Sequence, residues 1–197
     1  YSLKAYEVPE AQRQARGTSI VNIVQLSAGE KVTALVPVNE FSDDVELVMG
    51  TKYGVVKKTS LTSFDSIRKG GIIGISLDDG DELIGVKLVS SDDEILMVTK
   101  MGMSIKFPHE QIRSMGRTAR GVKGIDLKDG DYVVGMDIAL QGQDVLVVTE
   151  DGYGKRTPVS EYRVQNRGGM GIKAMNLTPK TGLIAAVKLV REENELV

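Results

Sequence analysis

Short apolar runs, each broken by a glycine-bearing turn, succeed one another along the chain. Glu46-Leu-Val-Met-Gly-Thr51, Glu94-Ile-Leu-Met-Val-Thr99 and Asp144-Val-Leu-Val-Val-Thr149 have strand length and stop at Tyr53-Gly54, Met101-Gly102 and Asp151-Gly152. A glycine there can take the positive φ that a tight hairpin needs. A shorter polar strand follows each turn, Val55 to Thr59 and its counterparts. Next comes a Gly-x-x-Gly-Ile segment (Gly71 to Ile75, Gly121 to Ile125, Gly168 to Ile172), then a longer apolar run such as Glu82 to Val89 or Tyr132 to Ala139. Gly85 and Gly135 inside these last runs, with Ala185 in the equivalent place, mark close backbone approach or kinks. Helical periodicity is confined to single turns, Ser60 to Phe64 and Pro108 to Ile112.

The elements recur in one order. A weaker copy of the glycine segment, Gly17-Thr-Ser-Ile20, extends the series, and its glycines at 17, 71, 121 and 168 are separated by 54, 50 and 47 residues. An acidic turn recurs as Ala28-Gly29-Glu30, Asp79-Gly80-Asp81 and Asp129-Gly130-Asp131. Four short antiparallel strands repeated roughly every fifty residues predict an all-β, propeller-like fold of four-stranded blades. The chain reads as one domain over 1–197 with about four blades, near 1–45, 46–93, 94–143 and 144–197. Glu195 to Val197 would begin another. A β-solenoid would need shorter and more uniform coils.

A chain of 197 residues, 41% hydrophobic and 26% charged, has an ordinary globular composition and can bury a sizeable core. The absence of cysteine excludes disulfides and thiolate metal sites. The single histidine, His109, cannot build a histidine metal cluster and is read as a solvated loop residue. Asp78-Asp79 and Asp92-Asp93 are read as hairpin tips rather than calcium ligands. With no Walker-type loop and no acid–histidine constellation, no catalytic centre, cofactor or metal site is expected. No apolar stretch approaches membrane-spanning length and no charged-then-apolar leader is read at its start, so neither a membrane span nor a signal peptide is expected. The opening at Tyr1-Ser2-Leu3 reads as a fragment of something longer.

Charge sharpens the picture once it is taken in phase with the repeat. The net charge is −2, yet residues 51–73 carry +4, residues 74–98 −6, 99–124 +5, 125–148 −4 and 149–173 +2. Each hairpin glycine is followed four residues later by a cation: Lys58, Lys106 and Arg156. Equivalent positions of successive blades lie side by side, so Lys57, Lys58, Lys106, Lys155 and Arg156 are expected on one outer belt, displaced from Asp79, Asp81, Asp129 and Asp131. Arg16, Arg120 and Arg167 each precede a glycine whose missing side chain would let a phosphate approach the backbone. Arg13, Arg68, Lys69, Arg113, Arg117, Lys123, Arg163 and Lys173 complete the candidate set. Aromatic residues make up only 5% of the chain, and none is tryptophan, so stacking platforms for single strands are scarce. Duplex DNA, held by its phosphates, is the better match.

Several segments resemble the C-terminal domain of the DNA gyrase A subunit: Gly152-Tyr-Gly-Lys-Arg-Thr-Pro158 with Glu161-Tyr162 and Asn166 to Gly171, Tyr6 to Glu10 with Arg16-Gly17 and Ile20-Val-Asn22, and Gly116 to Gly124. The resemblance covers the whole chain. It implies a β-pinwheel, in which neighbouring blades exchange a strand, wrapping duplex DNA on a basic rim so that gyrase introduces negative supercoils. It further implies a non-catalytic part of an ATP-dependent type II topoisomerase, cytoplasmic and associated with the nucleoid. The partners implied are the B subunit of gyrase together with the rest of the A subunit. As an isolated fragment it is expected to be monomeric. The family's Gln-Arg-Arg-Gly-Gly-Lys-Gly box is not in this chain. Gln165, Asn166, Arg167, Gly168, Gly169, Met170 and Gly171 form a box-like relic in which Asn166 and Met170 replace two cations. The corresponding domain of topoisomerase IV, and a propeller serving as a protein-interaction platform, stay open as alternatives.

Overall fold

The computed structural model describes residues 1–68 and 70–195. Its strands are short, antiparallel and gathered in three sheets. In the first, β1 (Glu46–Thr51) and β2 (Val55–Ser60) form a hairpin, and β3 (Leu83–Val89) flanks β1. In the second, β4 (Glu94–Thr99) and β5 (Met103–Pro108) form the hairpin and β7 (Val133–Ala139) flanks β4. In the third, β8 (Asp144–Thr149) pairs with β9 (Gly154–Pro158) and with β11 (Ile184–Val190). The strands β3, β7 and β11 line one shared cavity and are therefore innermost.

The outermost strand of a sheet comes from the following unit. The strand β6 (Val122–Lys123) leaves its own unit to pair with Val56 and Val55 of β2, and β10 (Ile172–Lys173) pairs with Ser104 and Met103 of β5. The strands gather in three sheets, and the first of the about four repeats contributes none of them. Residues 1–45 contain 3-10 turns at Ala5–Glu7 and Ile20–Asn22 but no strand. They hold counterparts of a crossing segment and an inner strand without a hairpin to pair with. Gly71 to Ile75 forms no strand for the same reason, because a crossing segment pairs with the hairpin before it. Leu196 and Val197, read as the start of a further blade, lie outside the described residues.

Hydrophobic cores fill the spaces between sheets. Val48 and Val56 meet Ile95, Met97, Ile105 and Phe107 between the first two. Leu96 and Val98 meet Val145, Val147, Val159 and Ile184 between the second and third. Leu47, Met49, Leu61 and Phe64 pack beneath residues 36–45 and 67–75. The first two hairpins are thus buried on both faces, which is why β1 and β4 read as unbroken apolar runs. Only one face of the third sheet is covered, and β8 alternates buried with half-buried positions.

Two expected registers are corrected. The third crossing glycine is Gly171, not Gly168: Ile172-Lys173 occupies on β5 the place that Val122-Lys123 takes on β2. Both Gly121 and Gly171 have positive φ, and a Cβ would lie 2.6 Å from the Val56 carbonyl oxygen and 2.2 Å from that of Ser104. Only glycine admits such an approach in that conformation. On the inner strands a register shift isolates Ile84, Val134 and Ala185, so the residue equivalent to Gly85 and Gly135 is Ala186. At Gly135 a Cβ would meet the Val187 side chain while the nearest backbone atom lies 3.8 Å away, and at Gly85 contacts are ordinary, so neither glycine marks a close backbone approach.

The acidic turns have a structural task. Asp81 Oδ1 accepts hydrogen bonds from the Tyr53 and Glu82 amides at 2.8 and 2.9 Å, and Asp131 Oδ1 accepts from Met101 and Tyr132 at 2.9 and 2.8 Å. Each buried carboxylate clamps its hairpin turn to the start of the inner strand. Asp131→Ala should leave the Met101 and Tyr132 amides without partners and cost about 1–3 kcal/mol, read as an earlier urea midpoint. An unchanged midpoint would contradict the clamp.

Candidate nucleic-acid interface

Crossing segments 109–123 and 159–173 start at the outer end of one sheet and finish on the outer edge of the preceding one. They therefore run along the rim, and cations repeat on them. Counting from the 3-10 turns that open the two segments, Arg113 matches Arg163, Arg117 matches Arg167, and Lys123 matches Lys173. Arg113, Arg120, Lys123, Arg163 and Lys173 are exposed, while Arg117 and Arg167 are half-buried. Lys155 and Arg156 are exposed on β9, whose outer side pairs with no strand among the described residues.

The expected belt of hairpin cations is corrected. Lys57, Lys58 and Lys106 are buried rather than displayed. The Lys58 ammonium lies 2.8 Å from Glu46, Lys106 lies 2.8 Å from Glu94, and Arg156 lies 2.8 Å from Asp144. The cation that recurs after each hairpin glycine is thus the partner of an acid at the start of the preceding strand, a cross-strand pair of the sheet. Lys57 points to the other face, where its ammonium donates to the carbonyls of Gly74 and Arg117 and so ties two crossing segments together. Its counterparts are the buried Ile105 and the exposed Lys155.

Burial, and then the neighbouring Arg117 guanidinium, lower the Lys57 pKa from 10.5 to about 8. Below about 8 the ammonium is charged in both native and unfolded chains, and its desolvation weighs fully on the fold. Between about 8 and 10.5 the unfolded chain holds a proton that the native state has released, so this group makes stability rise with pH. Across that window the wild-type urea midpoint should rise with pH relative to that of Lys57→Ile, which removes this component. A wild-type midpoint whose pH dependence is unchanged by the substitution would contradict this assignment.

Arg120 pairs with Asp78, and Lys123 pairs with Asp126 at 2.6 Å, so acids and cations are not fully segregated. The Lys173 counterpart of Asp126 is Asn176, which carries no charge. Arg13, Arg16 and Arg68 are exposed, and no side-chain bond among the described residues ties them to the crossing segments. Lys69 lies outside the described residues. In the box-like motif, Gln165 donates its amide to the Lys106 carbonyl at 2.8 Å, and the Gly168 amide donates to that of Gly124 at 2.7 Å. The Arg167 guanidinium donates to the carbonyls of Gln111 and Lys123, and its amide to Gln111 Oε1. The motif stitches one crossing segment to the other, leaving Asn166, Gly169 and Met170 exposed. The glycine after Arg120 faces the Val56 carbonyl at 2.6 Å, so its missing side chain serves chain packing; Gly168, after Arg167, has only ordinary contacts around it.

His109 is buried, contrary to the loop reading, with Nδ1 3.2 Å from the Lys58 ammonium. The sequence holds a signal for this, because its counterparts Leu61 and Val159 are apolar core residues.

Antiparallel sheets that face one another around inner strands and exchange their outermost strand define a strand-exchanging β-propeller. The family described as DNA gyrase C-terminal domain, beta-propeller, matches residues 1–39, 46–90, 93–139 and 143–191, and the chain belongs to it. The A subunit of Salmonella typhimurium DNA gyrase is 48% identical over 121 residues, covering 61% of this chain and 14% of that protein. Its counterpart from Clostridium acetobutylicum is 47% identical over 121 residues, covering 61% and 15%. The chain spans only this small share of the relatives' length. The solved C-terminal domain of DNA topoisomerase IV superposes with a TM-score of 0.86 at 26% identity, over 95% of this chain and 59% of that one. The DNA gyrase A C-terminal domain superposes with a TM-score of 0.81 at 26% identity, over 98% and 62%.

Proposed function

We propose that this chain binds duplex DNA without sequence preference and bends it around the outer rim, as a non-catalytic part of a DNA gyrase A subunit that needs no cofactor of its own. The observation that carries this reading is the repetition of exposed cations on successive crossing segments: Arg113 with Arg163 and Lys123 with Lys173, joined by Lys155. A repeated series on a curved edge meets a duplex phosphate by phosphate, and phosphates position DNA without identifying bases. In the cytoplasmic holoenzyme, with the B subunit and the remainder of the A subunit, the bent duplex would be presented for strand passage and support negative supercoiling. The Salmonella and Clostridium relatives are gyrase A subunits, which favours gyrase over topoisomerase IV.

A salt titration of binding to random-sequence duplex tests the contact. Log K should fall linearly with log salt at a slope of about −0.9 per phosphate contacted. Replacing Arg113, Arg163 and Lys173 by alanine should reduce the magnitude of that slope by about 0.9 for each phosphate no longer held, equally for any sequence. Folding should shift by no more than about 0.5 kcal/mol, since these side chains are exposed. Absence of duplex binding at low salt would instead favour a protein-interaction platform.

A further inference from the structure

The first crossing segment is held to the preceding sheet by a contact that the second lacks. His109 opens the first segment at the position Val159 occupies in the second. Its buried ring presents Nδ1 to the Lys58 ammonium at 3.2 Å, and Lys58 is also 2.8 Å from Glu46. The Lys58 carbonyl accepts the Met115 amide at 2.9 Å, just as the Lys106 carbonyl accepts the Gln165 amide at 2.8 Å. An ammonium has only donors, so Nδ1 must accept and the ring proton must sit on Nε2. That nitrogen is buried without a hydrogen-bond partner, although Glu110 Oε1 lies 3.3 Å away.

We propose that His109 is a positioning residue: in its neutral form it pins the first crossing segment to β2 through Lys58, and protonation releases the pin. A protonated ring carries N–H at both nitrogens. Nδ1 can then no longer accept from Lys58, and two positive groups face each other where one hydrogen bond stood. The charged groups around the ring are Lys58 from β2, Glu46 from β1 acting through Lys58, and Glu110 on the same turn. Glu46 is already engaged by Lys58. Glu110 is more than half exposed, is screened by water, and lies on the Nε2 side, where it does nothing for the broken Nδ1 hydrogen bond. Asp93 contributes its backbone carbonyl, which accepts the His109 amide at 3.1 Å. Because this segment carries Arg113, Arg117, Arg120 and Lys123, acid would loosen one part of the rim and spare the other. That consequence for DNA rests on the proposed function; the pin itself does not.

The two segments give an internal comparison. Amide exchange, corrected for intrinsic rates, would be followed at Met115 and Gln165 as the solution is acidified from about pH 7.5 to about 5.5. Protection at Met115 should fall about tenfold more than at Gln165, the equivalent of one net hydrogen bond. His109→Gln, which keeps an acceptor for Lys58 but cannot titrate, should abolish the difference, as should His109→Val. Equal changes at both amides, greater protection at Met115 in acid, or a difference that survives His109→Gln would each overturn the proposal. No DNA is present in this experiment. Failure of duplex binding would therefore count against the proposed function and leave the pin standing.

Discussion

Gly171→Val should dismantle the outer edge of the second sheet and lower stability by on the order of 4 kcal/mol or more, a large effect for a single substitution. Two costs combine. Valine at φ +75 is a backbone outlier worth about 1–3 kcal/mol. Its Cβ would also stand 2.2 Å from the Ser104 carbonyl oxygen, a backbone atom of β5 that cannot move without breaking the ladder. Gly121→Val meets the same obstacle at the Val56 carbonyl and should behave alike. Gly168→Val is the discriminating control. Its φ is also positive at +82, but the nearest atom to its Cβ is 3.5 Å away, so only the conformational cost applies, about 1–3 kcal/mol. Urea midpoints ranked with Gly168→Val as the most damaging would contradict the register in which Gly171 is the crossing glycine.

Lys57→Ala should be the most damaging of the cation substitutions, costing roughly 2–5 kcal/mol, the range of large-to-small changes in a core. The substitution removes a fully buried stem from between two crossing segments and deprives the Gly74 and Arg117 carbonyls of their shared donor. Lys155→Ala, at the equivalent position on the exposed β9, should change stability by no more than about 0.5 kcal/mol. Its effect should fall on duplex affinity instead. The pair separates a cation that builds the rim from one displayed on it, and thermal unfolding of both variants reads the difference. Equal stability losses would contradict the separation.

Much of the fold was legible because the repeat writes each element several times. The hairpin glycines Gly54, Gly102 and Gly152 all turn with positive φ, and the single turns fall at Leu61–Phe64 and His109–Gln111. Which sheet a crossing segment joins is not written in periodicity, since a two-residue strand such as β6 carries no alternation to read. The slip from Gly171 to Gly168 has a local cause: Gly168-Gly169-Met170-Gly171 offers three glycines, and only the contact with Ser104 tells which one crosses. The pairing of Lys58 and Lys106 is itself written in the sequence. Glu46, Glu94 and Asp144 each stand twelve residues before Lys58, Lys106 and Arg156, so the acid that neutralises each cation repeats as faithfully as the cation itself. Phase locking of charge therefore had two sources. Part was sheet pairing, and the remainder, on residues 113–123 and 163–173, is the rim.

The proposed function requires that this rim bend duplex DNA. Energy transfer between dyes at the two ends of a 20–30 bp random-sequence duplex measures it directly. Bending such a site by 40–90° costs about 1–6 kcal/mol, which a series of phosphate contacts must offset. Saturating protein at low salt should bring the dyes together, and raising the salt should restore the straight duplex as the protein dissociates. Alanine at Arg113, Arg163 and Lys173 should weaken the bend along with the affinity. A duplex that is bound to saturation and stays straight would contradict bending and reduce the rim to a nonspecific basic surface.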